Sequence, residues 1–205
     1  MLLPPFSGQP LKAYNRSGED ITSTVFAPSG FMKVDADYTP RPYEQWSADD
    51  WPRTYQNPTY PELFAAGIAF APPHAISKPR KTPNGTVIAP APPRTGQPSG
   101  SIGRACAESI ADMVLGRDKP LHEASMAKMG ASCVASTGAN LRTGSAAAMI
   151  MYPIVPDERT YPETGRHPYH TRGEIGLFGH WIKFMLHYLF IYKAKSLPGW
   201  SLIPE

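Results

Sequence analysis

Apolar residues fall into separated blocks along the chain, and the pattern of each block predicts its element. Phe31-Met32-Lys33-Val34-Asp35, opened by Ser29-Gly30, predicts a short strand. Leu63-Phe64-Ala65-Ala66-Gly67-Ile68-Ala69-Phe70-Ala71 is unbroken between Pro61 and Pro72, and that length with those flanks predicts a buried strand rather than a helix. Gly67 in this run lets another backbone or a ligand approach closely. Ile102, Cys106, Ile110 and Met113 recur at helical spacing, with Ser99 or Ser101 able to cap the start and Gly116 suited to follow the C-cap. Residues 131–135 and 146–150 flank the turn-rich Ser136-Thr137-Gly138-Ala139-Asn140 and predict a strand pair, as in a hairpin with a long loop.

The last block, residues 174–193, is apolar almost all round, with a narrow polar stripe of His180, Lys183 and His187. Its longest stretch without Lys, Arg, Asp or Glu, Phe184 to Tyr192, is nine residues. A membrane span needs roughly 18. A helix lying in the membrane interface fits, with Trp and Tyr at headgroup level and lysines reaching out. A terminal helix buried against its own domain or a partner subunit fits as well.

Composition adds one constraint. The chain holds 17 glycines and 24 prolines, about a fifth of its 205 positions, against a usual share of about 12%. That excludes a helical bundle or coiled coil, because Pro inside a helix removes a hydrogen bond and clashes with the preceding turn. Hydrophobic content of 41% is enough for a core, so the chain reads as one domain with long irregular segments. Seventeen of the prolines lie at or before Pro98. Residues 37–61 read as an aromatic, packed surface excursion, and residues 72–98 as a long structureless stretch carrying Lys78-Pro79-Arg80-Lys81.

Charge and motifs exclude more than they assign. A net charge of +3 is too even for a nucleic-acid partner. Cys106 and Cys133 cannot build a disulfide framework or a four-cysteine zinc site, and His180 and His187 have no acidic residue between them, so no metal site is expected. Met1-Leu2-Leu3-Pro4-Pro5 lacks the marks of a signal peptide. No G-x-G-x-x-G follows a strand and no G-x-x-x-x-G-K-[ST] occurs, so the chain by itself has no convincing cradle for a dinucleotide pyrophosphate.

Several segments nevertheless resemble one family. Tyr60-Pro61-Glu62-Leu63-Phe64-Ala65-Ala66-Gly67-Ile68-Ala69, followed by Pro72-Pro73, is similar to the late flavin-contacting strand of flavoproteins with two dinucleotide-binding domains, in the version found in sulfide:quinone oxidoreductase and its relatives. Ile68 stands where many flavoproteins place Asp. Pro93-Arg94-Thr95-Gly96 resembles the family's Pro-Lys-Thr-Gly segment, whose helix points its N-terminus at the flavin ring. Ser132-Cys133-Val134-Ala135 is similar to the segment carrying a redox-active cysteine, continued here by Ser136-Thr137-Gly138 rather than an Asp-Phe-Gly-like sequence. The Trp181–Tyr192 helix and the Trp200 tail look like the membrane-anchoring, quinone-adjacent end.

The resemblance implies an α/β fold (an α+β-like fragment) that forms part of a FAD/NAD(P)-binding two-domain flavoprotein with a C-terminal amphipathic helix. Residues 1–120 would complete the FAD-binding domain, 121–172 would carry the strand pair with Cys133, and 173–205 would associate peripherally with a membrane. FAD is the implied cofactor, held by Gly67, Ile68, Arg94, Thr95 and Gly96. Cys133 is the implied catalytic residue, since a thiolate beside a flavin can attack the ring or relay a persulfide. Phe178, Tyr188 and Phe190 are candidates for a quinone wall. Implied partners are a quinone, sulfide or another small reductant, the membrane surface, and an N-terminal FAD domain or partner subunit outside these residues. For Cys106, on the apolar helix stripe, core packing is the better reading. Two alternatives stand beside an oxidoreductase of this kind: a catalytically silent membrane-binding or subunit-interaction module, and a type II NADH:quinone oxidoreductase-like flavoprotein.

Overall fold

The computed structural model describes residues 11–67, 69–93, 95–137 and 142–203. Within them lie three helices and two small antiparallel sheets, an α+β arrangement. The short helix α1 (Thr22–Val25) precedes a long Pro-rich region that holds two short 3-10 helices, Tyr43–Gln45 and Ala48–Asp50, and a two-stranded ribbon, β1 (Arg80–Lys81) with β2 (Val87–Ile88). Before Gly96, that ribbon is the one regular element among the described residues of the stretch read as structureless.

Helix α2 (Gly96–Val114) begins three residues before Ser99 and five before Ser101, the two predicted caps. Pro98 allows this, because its missing N–H is not needed in a first turn. Thr95 is the N-cap, extended and without a side-chain cap bond, while Ser101 Oγ donates to the Gln97 carbonyl at 3.3 Å. The end is as the glycine predicts. Gly116 has φ +62°, its N–H donates to Met113 O and the Arg117 N–H donates to Asp112 O, the paired bonds of a left-handed helix stop. The buried stripe runs Ile102, Ala105, Cys106, Ser109 and Asp112, so Ile110 and Met113 are exposed instead. Polar groups take the last turn because they bind the returning chain: Ser109 Oγ accepts the His122 N–H at 2.9 Å, and Asp112 pairs with His122 Nε2 at 3.0 Å and Arg117 Nη1 at 2.8 Å.

One buried cluster packs on the first half of α2: Val34, Trp51, Tyr55, Ala65, Phe70 and Ile76 from before it, and Met126, Ala131, Ile154 and Val155 from after it. The aromatic segment read as a surface excursion thus supplies the core's centre, with Trp51 1% and Tyr55 0% exposed. Asp35 fixes that segment. Its carboxylate accepts the backbone N–H groups of Arg53, Thr54 and Tyr55 at 3.0, 2.8 and 2.7 Å, and holds Tyr55 at φ +59°.

Among the described residues, the two early apolar runs form isolated bridges and no regular strand. Met32 makes single bridges to Phe26 and Phe70, and Phe64 bridges Gln56. Gly67, at φ +63°, turns the chain in the middle of the second run and ends any ladder there.

The predicted hairpin is present as β3 (Ala131–Thr137) and β4 (Ser145–Met151), in register Cys133 to Met149. A third strand, β5 (Arg172–Gly176), pairs with the other side of β4 and takes the first residues of the segment read as helix. Helix α3 (Leu177–Ala194) then folds back on this sheet. Its contact point is Gly179, where an added Cβ would lie 3.3 Å from the Cβ atoms of both Ala146 and Ala148.

Candidate functional site

Gly67 and the α2 N-terminus meet, although 29 positions separate Gly67 from Gly96. A Cβ on Gly67 would stand 3.2 Å from both Cβ and Oγ of Ser99, so only glycine seats here comfortably. Thr95 and Gly96 adjoin this contact, and Thr95 Oγ1 is buried without a hydrogen-bond partner. Gly96 and Gln97 are exposed. Their N–H groups have no partner within the helix and carry its partial positive charge. The space enclosed by Gly67, Phe70, Pro98, Ser99 and Ile102 is about 10 Å³, room for one water. A ring-sized group held by this motif would therefore lie across its outer side. Ile68 and Arg94, the other two residues of the implied flavin set, lie outside the described residues.

Cys133 is half-buried and free on β3. Its direction follows from the register. Ala146 and Ala148 face α3 through Gly179, and neighbouring residues on a strand point to opposite faces. Met149 and its cross-strand partner Cys133 therefore point away from α3. Ala135, Ala147 and Ile175 share that face; Met149 is 49% and Ile175 82% exposed. The thiol thus sits on an apolar sheet face that nothing in the described residues covers beyond the Ala131–Met151 end. Cys106 differs: it is buried on α2, its Sγ lies 4.0 Å from the Thr54 carbonyl, and burial pushes its thiol pKa up, as Asp35 does to a lesser extent. That environment suits an inert core residue.

The quinone candidates on α3 are all exposed but do not form one wall. At about 100° per residue, Tyr188 lies about 80° around the helix from Phe178, and Phe190 about 160° from Tyr188. The exposed arc that does hold together is Phe178, Trp181, Phe184, Met185, Tyr188 and Ile191, with Phe184 and Tyr188 edge to face at 5.0 Å. α3 therefore has two apolar sides, one on the sheet and one facing outward. Of the predicted polar stripe, Lys183 and His187 are exposed, but His180 is 6% exposed, tucked against Gly144, with neither ring nitrogen partnered. Among the described residues, no helix is long and apolar enough to cross a membrane, and no group of three or more His, Cys, Asp or Glu could hold a metal ion.

A cleft of about 500 Å³, which no motif announced, opens beside Tyr43, Trp46, Arg53, His74, Lys128 and Arg159. Much of its chemistry is already engaged. Arg53 and Arg159 both pair with Asp49, at 2.8 and 3.2 Å. His74 stacks on Trp46 at 4.4 Å and accepts the Trp51 indole N–H at 2.6 Å, and burial lowers its pKa, which keeps Nε2 an acceptor.

The chain matches no protein-family model and no curated protein at significant similarity.

Proposed function

We propose that the chain is the C-terminal portion of a membrane-associated, FAD-dependent oxidoreductase like sulfide:quinone oxidoreductase. The observation that carries this reading is the meeting of Gly67 with the α2 N-terminus beside the unpartnered Thr95 Oγ1. A glycine that a Cβ would block, an orphaned hydroxyl and a helix end suit the electron-rich edge of a flavin. When bound, that group supplies two-electron transfer between a sulfur donor and a quinone. The chain's own residues hold it and take up sulfur. The N–H groups of the exposed Gly96 and Gln97, at the start of α2 beside Thr95, would be the hydrogen-bond donors to its ring edge. Cys133, on an uncovered face, would form a disulfide with a cysteine of the polypeptide that brings the nucleotide-binding domain; sulfide cleaving that disulfide would leave a persulfide on one sulfur and a thiolate on the other. The outward apolar arc of α3, including Phe178 and Tyr188, lies in the membrane interface on the quinone side; Phe190 falls outside that arc.

The test is reconstitution with an FAD-domain polypeptide and measurement of sulfide-dependent reduction of a soluble quinone analogue. Cys133→Ser should abolish turnover while leaving bound-flavin absorbance in place. Unchanged turnover removes the cysteine from the mechanism. The α3 arc alone also supports a second reading, a silent membrane-binding module. Flotation with vesicles and no flavin absorbance, even beside that partner, would favour it.

A further inference from the structure

Strand β5 is an open edge of its sheet. The strand order is β3-β4-β5, and among the described residues no backbone hydrogen bond reaches Arg172–Gly176 from outside the sheet. The unpaired N–H and C=O groups of such an edge are a template for another strand. Proteins that protect an edge place lysine or proline on it. β5 has neither; it carries one charge of each sign, Arg172 and Glu174, and an Ile175 that is 82% exposed. The two charges meet within the chain only at 4.0 Å. Register fixes their direction. Opposite Ile150 and Ala148, Arg172 and Glu174 lie on the α3 face, whereas Gly173 and Ile175, opposite Met149 and Ala147, lie on the Cys133 face.

We propose that β5 pairs antiparallel with β5 of a second copy about a two-fold axis at Gly173, joining two three-stranded sheets into one of six. Residues directly opposite each other share a face, so the axis must pass through a residue and not between two. Centred on Arg172 or on Glu174, the pairing sets like charges against each other. Centred further along, it leaves both charges unpaired. Centred on Gly173, it sets Arg172 against Glu174 of the second copy, twice over by symmetry. On the Cys133 face the same register brings Ile175 of the second copy opposite Thr171. Thr171 borders a shallow hollow of about 510 Å³ floored by Ile76, Pro90, Met149 and Met151. Gly173 has no side chain to stand between, so the exposed isoleucine of each copy reaches an apolar seat on the other. Because the axis is perpendicular to the sheet, faces do not exchange. Both α3 helices lie on one side of the joined sheet and both Cys133 faces on the other. The proposal rests on strand register and goes beyond the flavin and membrane readings without depending on them.

A five-residue strand pair is smaller than the roughly 800 Å² a side of a standard interface, so the association is weak, micromolar or above. The experiment is sedimentation equilibrium of the full chain from about 10 µM to about 1 mM, where the parent should shift from monomer to dimer. Arg172→Glu alone and Glu174→Arg alone each turn two attractive cross-strand pairs into two repulsive ones and should raise the dimer Kd about tenfold or more. An equal mixture of these two variants again sets opposite charges across the axis and should associate like the parent, which loss of folding could not mimic. Gly173→Cys tests the register, in a Cys133→Ser background that leaves only the buried Cys106. An added Cβ there meets only the Ala148 carbonyl oxygen within 4 Å, at 3.9 Å, so the fold accepts it. Directly opposed Cα atoms are about 4.5–5.5 Å apart, within disulfide reach, so copper-catalysed air oxidation should link this variant into dimers. Ile175→Cys in the same background should not link, since its two copies lie roughly 14 Å apart along the strands. A parent that stays monomeric to about 1 mM overturns the proposal. So do charge reversals without effect, a mixture no more associated than either variant alone, or Ile175→Cys linking as readily as Gly173→Cys.

Discussion

Gly144→Ala drives a new methyl directly into a buried ring. Gly144 is buried just before β4, and a Cβ there would fall 2.4 Å from Nε2 and Cδ2 of His180 and 2.7 Å from Cε1. Ordinary contact is about 3.5 Å or more. Gly144 is not among the positive-φ glycines, so the penalty is steric and not conformational. His180 sits in the first turn of α3 and is 6% exposed, so its ring cannot swing into solvent. Overpacking of this kind costs about 1–3 kcal/mol. For a chain of this length each kcal/mol lowers Tm by about 2–4 °C, so the expected fall is about 2–12 °C. His180→Ala alone should cost less than deleting a buried apolar ring, because it also removes two ring nitrogens that have no partner. In the double variant the new methyl enters the space the ring leaves. The two changes should then fail to add, with a coupling of about 1 kcal/mol or more in the stabilising direction. Urea unfolding followed by tryptophan fluorescence measures all four corners of the cycle, with unchanged m confirming a common transition. Additivity to within about 0.5 kcal/mol, or a Gly144→Ala protein as stable as the parent, would refute the close seating of His180 on this glycine.

Asp112 is held below its ordinary carboxyl value of 3.8 by hydrogen bonds from His122 and then Arg117. Because the folded value is the lower one, this contribution is present above the unfolded value and is lost as pH falls through the folded one. The gap in urea midpoint between parent and Asp112→Asn should therefore be open at neutral pH and close below 3.8, and a gap that persists in acid would contradict the pairing. Asp35→Ala strands three backbone N–H groups around the buried Tyr55 and should cost about 3 kcal/mol in thermal melts, with Asp35→Asn losing about half as much. A loss under about 1 kcal/mol would mean that water replaces the carboxylate there. Tyr55→Phe removes a buried hydroxyl that has no partner and should leave stability unchanged or raise it by about 1 kcal/mol; a clear loss in the same melts would show that the hydroxyl is bonded.

What the chain's pattern could announce depended on how local each cause was. Helix α2 was legible because Ile102, Cys106 and Gly116 act within a few turns of one another, and the β3–β4 hairpin because its two apolar segments flank a turn. β5 was not, since Arg172, Gly173, Glu174, Ile175 and Gly176 carry little intrinsic strand preference. It exists because β4 has a second edge to pair. The run 63–71 has a strand's composition, but Gly67 at φ +63° breaks it, and periodicity cannot show where a glycine will turn. The burial of Trp51 and Tyr55 depends on Asp35, about 20 positions earlier, and that of His180 on Gly144, 36 positions earlier. Neither distance leaves a mark in a window of helical or strand period. A close approach at Gly67 was legible in the residue itself, but not that Ser99 of α2 makes it, since 32 positions separate the two. In the same way, Arg172 and Glu174 are unremarkable in sequence, and only the pairing of β5 with β4 leaves them on an open edge.

The two uncovered apolar surfaces make different demands, because they lie on opposite sides of one sheet. The α3 arc is convex, built of Phe178, Trp181, Met185 and Tyr188 on a single helix, and a fluid apolar phase can cover it without shape matching. The Cys133 face is a pleated surface of small residues, Ala135 and Ala147 beside Met149 and Ile175, and only a surface shaped to it can approach the thiol closely. The layer between them is thin where Gly179 on α3 approaches Ala146 and Ala148 on β4. A larger side chain at any of these three positions would lift α3 away from the sheet without altering either outer surface. On the flavoenzyme reading, such a variant would keep vesicle binding and cysteine accessibility while weakening transfer from the Cys133 side to a quinone at α3. On the silent-module reading it would change stability alone. Gly179→Val in the reconstituted system therefore separates the two readings: a fall in quinone reduction with vesicle binding and flavin content intact is expected only if this thin layer connects a donor side to an acceptor side.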